Sequence, residues 1–131
     1  MLEPELQLML TEFIQYCNDL DNSALFIVEG KRDTQSLRSL GLTGKIIEKG
    51  QLPLNELIDM VFNAPIIVIL TDFDQKGKQL RKILKKEIQH RKGHGKIDTY
   101  ARQLLYKFCR AYRINEIEDL ERFTINIQDH C

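Results

Sequence analysis

Residues 66–77 read Ile66-Ile67-Val68-Ile69-Leu70-Thr71-Asp72-Phe73-Asp74-Gln75-Lys76-Gly77, five apolar residues in a row closing on two aspartates. A strand with one wet face alternates apolar and polar side chains. This run does not, so it reads as a strand covered on both faces, as in a parallel sheet flanked by crossover helices. Pro65 bounds it on one side and the acidic turn on the other.

The flanking chain has the matching rhythm. Ala24 to Val28 is a second short apolar run, closed by Glu29-Gly30, and Lys45 to Glu48 is a weaker strand. A last strand is expected near Lys96 to Thr99. Between them, apolar residues recur at helical spacing. One helix carries Leu37 and Leu40 and stops at Gly41; another covers Pro53 to Phe62 with Leu54, Leu57, Ile58 and Val61 on one side. A third runs from Gly77 to about Arg91 with Leu80, Ile83, Leu84 and Ile88 facing inward, and Gly93-His94-Gly95 breaks it. Helices are also expected at 3–20, at Ala101 to Tyr112 and at Ile117 to Phe123, the last capped by Asn115. Strand alternating with helix is the rhythm of an α/β fold with right-handed crossovers. With no repeat or low-complexity linker, residues 1–131 read as one domain, its core about 22–100, with an added N-terminal helix and C-terminal helices. Those added helices either cover the sheet or build a homodimer or larger protein complex.

Composition removes several classes of function. The chain has 131 residues, 29% charged and 43% hydrophobic, close to an average globular domain. Lys plus Arg number 19 and Asp plus Glu number 19, so it is not a protein that coats nucleic acid by bulk charge. The longest apolar run falls far below the roughly 18 residues of a membrane span, and the acidic first residues show no signal peptide. A cytoplasmic protein is expected. Of the three cysteines, Cys17 and Cys109 fall on apolar helical positions and read as core residues, while Cys131 is terminal; no C-x-x-C pair is present.

In open parallel sheets the active crevice lies at the carboxyl ends of the strands, and two strands here end in acid. Asp72 and Asp74 are two apart, so an extended backbone would point both to one side. If the two strands are neighbours, Glu29 joins them and three carboxylates converge. Like charges ~4 Å apart cost roughly 4 kcal/mol per pair at an effective dielectric of 20, so a cation or protons must offset them. Oxygen ligands without His or Cys suit Mg²⁺ or Mn²⁺ rather than zinc. Gly30 would let the chain turn sharply and a ligand approach closely, and Gly77 would offer a free helix N-terminus to a phosphate. Either aspartate taken alone is equally well explained as a helix cap.

The two motifs together, IVEGKRD (Ile27 to Asp33) and ILTDFDQKG (Ile69 to Gly77), resemble the Toprim family. This is the metal-dependent catalytic domain shared by topoisomerases, bacterial-type primases and several small nucleases. The resemblance spans roughly residues 22–100 and looks closest to small stand-alone archaeal Toprim proteins, then to the Toprim ribonuclease that matures the smallest ribosomal RNA. It implies a Rossmann-like parallel sheet with helices on both faces. Glu29 would be the general acid or base and a metal ligand. Asp72 and Asp74 would hold one or two Mg²⁺, which Mn²⁺ can replace, and Asp33 would be a secondary acid acting through water. Glu29, close to two other carboxylates, would have a raised pKa in the absence of metal. None of the four tyrosines matches a topoisomerase nucleophile, and the chain has no room for a primase's zinc module.

Charge is unevenly spread. Residues 1–22 hold five acids and no Lys or Arg, whereas residues 76–96 hold nine bases against Glu87 alone. Lys78, Lys82, Lys85 and Lys92 would line one side of a helix that starts at the acidic turn. With Lys76, Gly77, and Lys31 and Arg32 beside Glu29, they form the expected phosphate-binding surface for RNA or DNA. A charged face is also simply a solvated face. His90 and His94 have metal-pair spacing, yet lie where exposed loop histidines are the simpler reading. Of Tyr106, Phe108 and Tyr112, at least two should be core. The leading expectation is a Mg²⁺-dependent nuclease, with RNA processing as its context. The alternatives are a non-catalytic nucleic-acid-binding or scaffold module and, more remotely, an aspartyl-phosphate enzyme using Asp72.

Overall fold

Successive residues of a strand point to opposite faces, so the central strands here feed two separate cores. The computed structural model describes residues 4–91 and 96–123. The chain runs α1 (Pro4–Asn18), β1 (Leu25–Val28), α2 (Lys31–Leu40), β2 (Lys45–Glu48), α3 (Leu54–Val61), β3 (Ile66–Ile69), α4 (Gln75–His90), β4 (Lys96–Asp98), α5 (Tyr100–Ala111) and a 3-10 helix (Ile117–Phe123). Phe26, Val28, Val68 and Leu70 meet Leu10 and Phe13 of α1, Leu37 of α2, Leu105 and Phe108 of α5 and Leu120 of the 3-10 helix. Ile27, Ile47, Ile67 and Ile69 meet Leu57, Ile58 and Val61 of α3 and Leu84 and Ile88 of α4. The unbroken apolar runs are therefore explained: both sheet faces are covered, and this is a Rossmann-like α/β fold.

The sheet is all parallel, in the order β2-β1-β3-β4. Leu25 pairs with Ile67 and Ile27 with Ile69, which sets Glu29 and Thr71 level just beyond the paired ends. From β1 the chain leaves toward β2 through α2, on one face. From β3 it leaves the other way toward β4 through α4, on the opposite face. The carboxyl ends of β1 and β3 thus form the topological switch point, where open α/β sheets place their ligand crevice.

Several expectations are corrected. Ile83 is 45% exposed, because α4 rests on the sheet through Leu84 and Ile88, four residues apart, leaving Ile83 to one side. The helix begins at Gln75, which puts Gly77 in its first turn. Residues 117–123 form a 3-10 helix, and what Asn115 contributes is its backbone carbonyl, which accepts the Phe73 N–H at 2.6 Å. α1 packs on α5, with Tyr16 hydrogen-bonded to Asp98 and its ring 4.9 Å from Tyr100, so the added helices cover one face of the sheet. Cys17 and Cys109 are buried as expected. The expected break at 93–95, Lys92, His94 and Cys131 lie outside the described residues. Among the described residues no helix is long and apolar enough to cross a membrane.

Candidate metal and nucleic-acid site

Beyond Ile69 the extended pairing of β3 has ended, and the next residues curl into α4. Alternation therefore no longer governs where Asp72 and Asp74 point. Asp74 is the N-cap of α4: its Oδ1 accepts the Gly77 N–H at 2.7 Å, satisfying a donor the first helical turn leaves unpaired. Asp72 turns toward the 3-10 helix, and its Oδ1 accepts the Ile117 N–H at 2.8 Å. Glu29 reaches across from β1, and its Oε2 accepts the Asp72 N–H at 2.8 Å. Folding brings Glu29 and Asp72 together, then, and holds one oxygen of each on a backbone donor. It does not bring Asp74 to them in the way the two-residue spacing implied.

The third acid whose charge bears on the pair is Asp33. Burial pushes the Asp72 carboxyl up to about 7, and the nearby charges of Glu29 and Asp33 push it the same way, while the Ile117 N–H opposes them. Asp33 is itself 7% exposed, and its Oδ2 accepts the Gly30 N–H at 3.0 Å, a carboxylate reaching back to cap α2. Its own carboxyl is raised, by burial first and then by Glu29 and Glu118, against the Gly30 N–H. Asp72 is thus a carboxyl that keeps a proton near neutral pH unless a cation takes the proton's place.

Two glycines have duties other than those expected. Gly77 offers no free N–H to a phosphate, because Asp74 takes it. Its need for a hydrogen is steric: a Cβ there would stand 2.2 Å from the Asp72 carbonyl oxygen. Gly30 is extended (φ −155°), a conformation open to any residue, and a Cβ there would meet nothing within 4 Å. No sharp turn requires it; what it leaves is open space beside Glu29.

Arg102 of α5 fastens the loop. It is 7% exposed, and its guanidinium donates to the carbonyls of Ile69 (3.3 Å), Thr71 (2.7 Å) and Asp72 (3.1 Å) while lying 4.4 Å from the centre of the Phe73 ring. Burial, then the neighbouring Arg81, lowers its pKa to about 10, so it stays charged. Nothing in the local pattern of residues points to this role, since the arginine sits among apolar helix positions.

Two clefts flank the loop. One, of about 490 Å³, contains Glu29 with Lys49, Gln51, Lys76 and Gln79, beside Leu80 and Ile83. Lys49 and Gln51 were missed, although Lys49-Gly50 follows β2 just as Glu29-Gly30 follows β1; the Gly50 N–H donates to the Glu29 carbonyl at 2.9 Å. The other cleft, of about 590 Å³, lies on the far side against Phe73, Lys78, Arg102 and Tyr106. The basic residues of α4 therefore divide, Lys76 to the Glu29 side and Lys78 to the other, while Lys82 is exposed and Lys85 half-buried. Lys31 is exposed at the start of α2. Arg32 does not extend the basic surface: it stands 3.9 Å from Glu118, in a depression shared with Asp119 and Glu121. His90 is exposed at the end of α4. Phe108 is core and Tyr112 packs on Phe108 and Phe123, leaving Tyr106 as the exposed ring.

As a metal site, Glu29 and Asp72 offer only oxygen donors and a negative charge that needs offsetting, and Mg²⁺ commonly binds through one or two carboxylates while keeping several waters. The pair fits such an ion. Among the described residues no three acids, histidines or cysteines stand close enough together to hold a metal by themselves.

No family model matches the chain. It is 39% identical over 102 residues to a UPF0292 protein of Pyrococcus abyssi, covering 77% of this chain and 74% of that one. To a UPF0292 protein of Pyrococcus horikoshii it is 41% identical over 95 residues, covering 72% and 69%. To one of Methanocaldococcus jannaschii it is 34% identical over 96 residues, covering 72% and 73%. A solved protein from Aquifex aeolicus superposes with a TM-score of 0.68 at 22% identity, covering 83% of this chain and 95% of that one. That likeness shows the fold.

Proposed function

We propose that this chain, which belongs to the UPF0292 family, is a Toprim-type phosphoryl-transfer enzyme that acts with Mg²⁺ on nucleic-acid phosphodiesters, as a small nuclease. The observation that carries the reading is the meeting of Glu29 and Asp72 at the switch point: two acids 43 residues apart, each fixed by a backbone N–H. Backbone hydrogen bonds account for one oxygen of each acid, but two carboxylates side by side at that place in an open α/β sheet oppose folding unless a proton or a cation offsets their charge.

In this proposal a bound Mg²⁺, one or two, supplies electrophilic stabilisation of the phosphate and a more acidic attacking water. Everything else falls to the chain. Glu29, lining the 490 Å³ cleft, is the group placed to pass a proton to or from the reacting oxygens. Asp72 has Oδ1 anchored on Ile117 and its carboxyl set against that of Glu29, so the two acids would share the cation or the proton it replaces. Lys49, whose ammonium donates to the Leu52 carbonyl at 3.2 Å, and Lys76 line the same cleft and would neutralise a phosphate bound there. Asp74, as a helix cap, and Asp33, as a carboxylate on Gly30, hold the loops that carry the pair.

The test is Mg²⁺-dependent cleavage of labelled RNA and DNA by the wild type and by Glu29→Gln. The wild type should cleave at least one, and Glu29→Gln should lose turnover by two orders of magnitude or more while retaining substrate binding. Undiminished turnover in the variant would remove Glu29 from the chemistry. The capping role of Asp74 favours a second reading, a nucleic-acid-binding module without catalysis. It predicts salt-sensitive binding with no cleavage of either substrate.

A further inference from the structure

We propose that the 590 Å³ cleft between α4 and α5 seats one unpaired nucleobase of a single-stranded nucleic acid, with Tyr106 as the stacking platform and the surrounding cations holding the flanking phosphates. This deepens the nucleic-acid reading above and rests on it.

The cleft has an aromatic floor. Phe73 is nearly buried, and Tyr106, 39% exposed, packs against it with ring centres 5.4 Å apart. Its rim is wholly cationic or neutral: Lys78 and Arg81 from α4, Gln103 and Lys107 from α5. A second depression of about 240 Å³ shares Phe73, Lys78 and Tyr106 and adds Arg110 and Arg113. No carboxylate lines either recess. None of Lys78, Arg81, Lys107, Arg110 and Arg113 is in an ion pair among the described residues. In a chain with as many acids as bases, that concentration of unneutralised positive charge calls for an anionic occupant.

Charge alone would fit any polyanion; the floor narrows it. Gln103, Tyr106, Lys107 and Arg110 recur at three- and four-residue spacing, so one face of α5 presents an aromatic ring between phosphate-binding groups. A cleft of this size accommodates a nucleotide. The bases of a duplex are stacked on one another and offer no free face to Tyr106, whereas an unpaired base does. Stacking on a ring is tolerant of base identity, so the preference is for strandedness rather than sequence. Phe73 immediately follows Asp72, so this cleft adjoins the loop that carries the acid pair, on the side away from the Glu29 cleft.

The experiment is fluorescence anisotropy with labelled 12-nucleotide single-stranded RNA and DNA and the corresponding duplexes, with the full chain in EDTA. Leaving metal out separates this proposal from catalysis. Wild type should bind at least one single strand more tightly than its duplex. Tyr106→Ala should weaken that binding roughly 5- to 150-fold, and Tyr106→Phe should stay within about twofold. Lys107→Gln and Arg110→Gln, at exposed positions, should each reduce the salt dependence by about 0.7 in log–log slope. Tyr106→Ala binding like wild type, no preference for the single strand, or no binding at all would each overturn the proposal. Single-strand binding that depends on Tyr106 without cleavage would uphold this cleft while the nuclease reading fails. Cleavage indifferent to Tyr106 would do the reverse.

Discussion

Gly77→Ala tests how the acidic loop is built. In an ordinary helix interior this substitution stabilises by about 1 kcal/mol, because alanine is the better helix former. Here the new Cβ would stand 2.2 Å from the Asp72 carbonyl oxygen, 2.6 Å from its carbon and 2.8 Å from its nitrogen. All three are backbone atoms, held by the Arg102 guanidinium and by Glu29, so no side chain can swing aside. Overpacking of this kind costs typically 1–3 kcal/mol, and contacts with anchored backbone belong at the upper end. Subtracting the propensity gain leaves a net destabilisation of about 2 kcal/mol, or roughly 6–10 °C in Tm for a domain of this size. Relief would come from moving α4 outward, which would also loosen the Asp74 cap and the bond from the Thr71 hydroxyl to the Gly77 carbonyl. Circular dichroism melts and urea unfolding of wild type and variant give the number. A variant as stable as wild type, or more stable, would refute the close approach and with it the account of why glycine stands there.

Further outcomes follow from the same geometry. Gly30→Ala, which introduces a Cβ into open space, should leave stability within about 0.5 kcal/mol in the same melts. If it nonetheless lowers activity, the lost space is needed by a ligand. In metal-free protein Asp72 holds its proton up to about pH 7 when folded but only to its ordinary value near 3.8 when unfolded. Its stabilising contribution is therefore complete below about pH 4 and lost as pH rises through 7. Urea midpoints at pH 4.5, 6 and 8 should show Asp72→Asn gaining on wild type as pH rises, and a constant difference would contradict the assignment. At pH 8, Mg²⁺ at ten times its Kd should stabilise wild type by about 1.4 kcal/mol, and Glu29→Gln by much less, in thermal shift. Arg102→Met, which leaves the carbonyls of Thr71 and Asp72 without their buried donor, should cost about 3 kcal/mol in urea unfolding.

The sheet was legible because its strands advertise themselves. The runs at 24–28 and 66–70 contain β1 and β3 to within a residue, and their lack of alternation required cover on both faces, which α3 and α4 on one side and α1, α2 and α5 on the other provide. The acids were legible as residues but not as an arrangement. Period-two alternation applies only while the chain is extended, and it ends before Asp72, so Asp74 became a cap while Asp33, outside the D-x-D motif, became the third charge felt by Asp72. The basic surface misled differently. A dense run of lysines drew attention to α4, whereas the cations of α5 and Arg113 are diluted among apolar residues and gather only when α5 folds beside the loop. Ile83 shows that an apolar residue at helical spacing need not be core.

The 3-10 helix has a bearing on timing. Asp72 receives its backbone donor from Ile117 and Phe73 gives its own N–H to Asn115, while Ser36 binds the Ile117 carbonyl at 2.9 Å. A nascent polypeptide that has emerged from the ribosome only as far as Tyr112 already possesses all four strands, yet lacks the clasp that seats Asp72. Synthesis of residues 115–123 thus finishes the acidic pocket, and a translation product truncated before them would lack both that clasp and the apolar side chains of Ile117, Leu120 and Phe123 that complete the core beneath it.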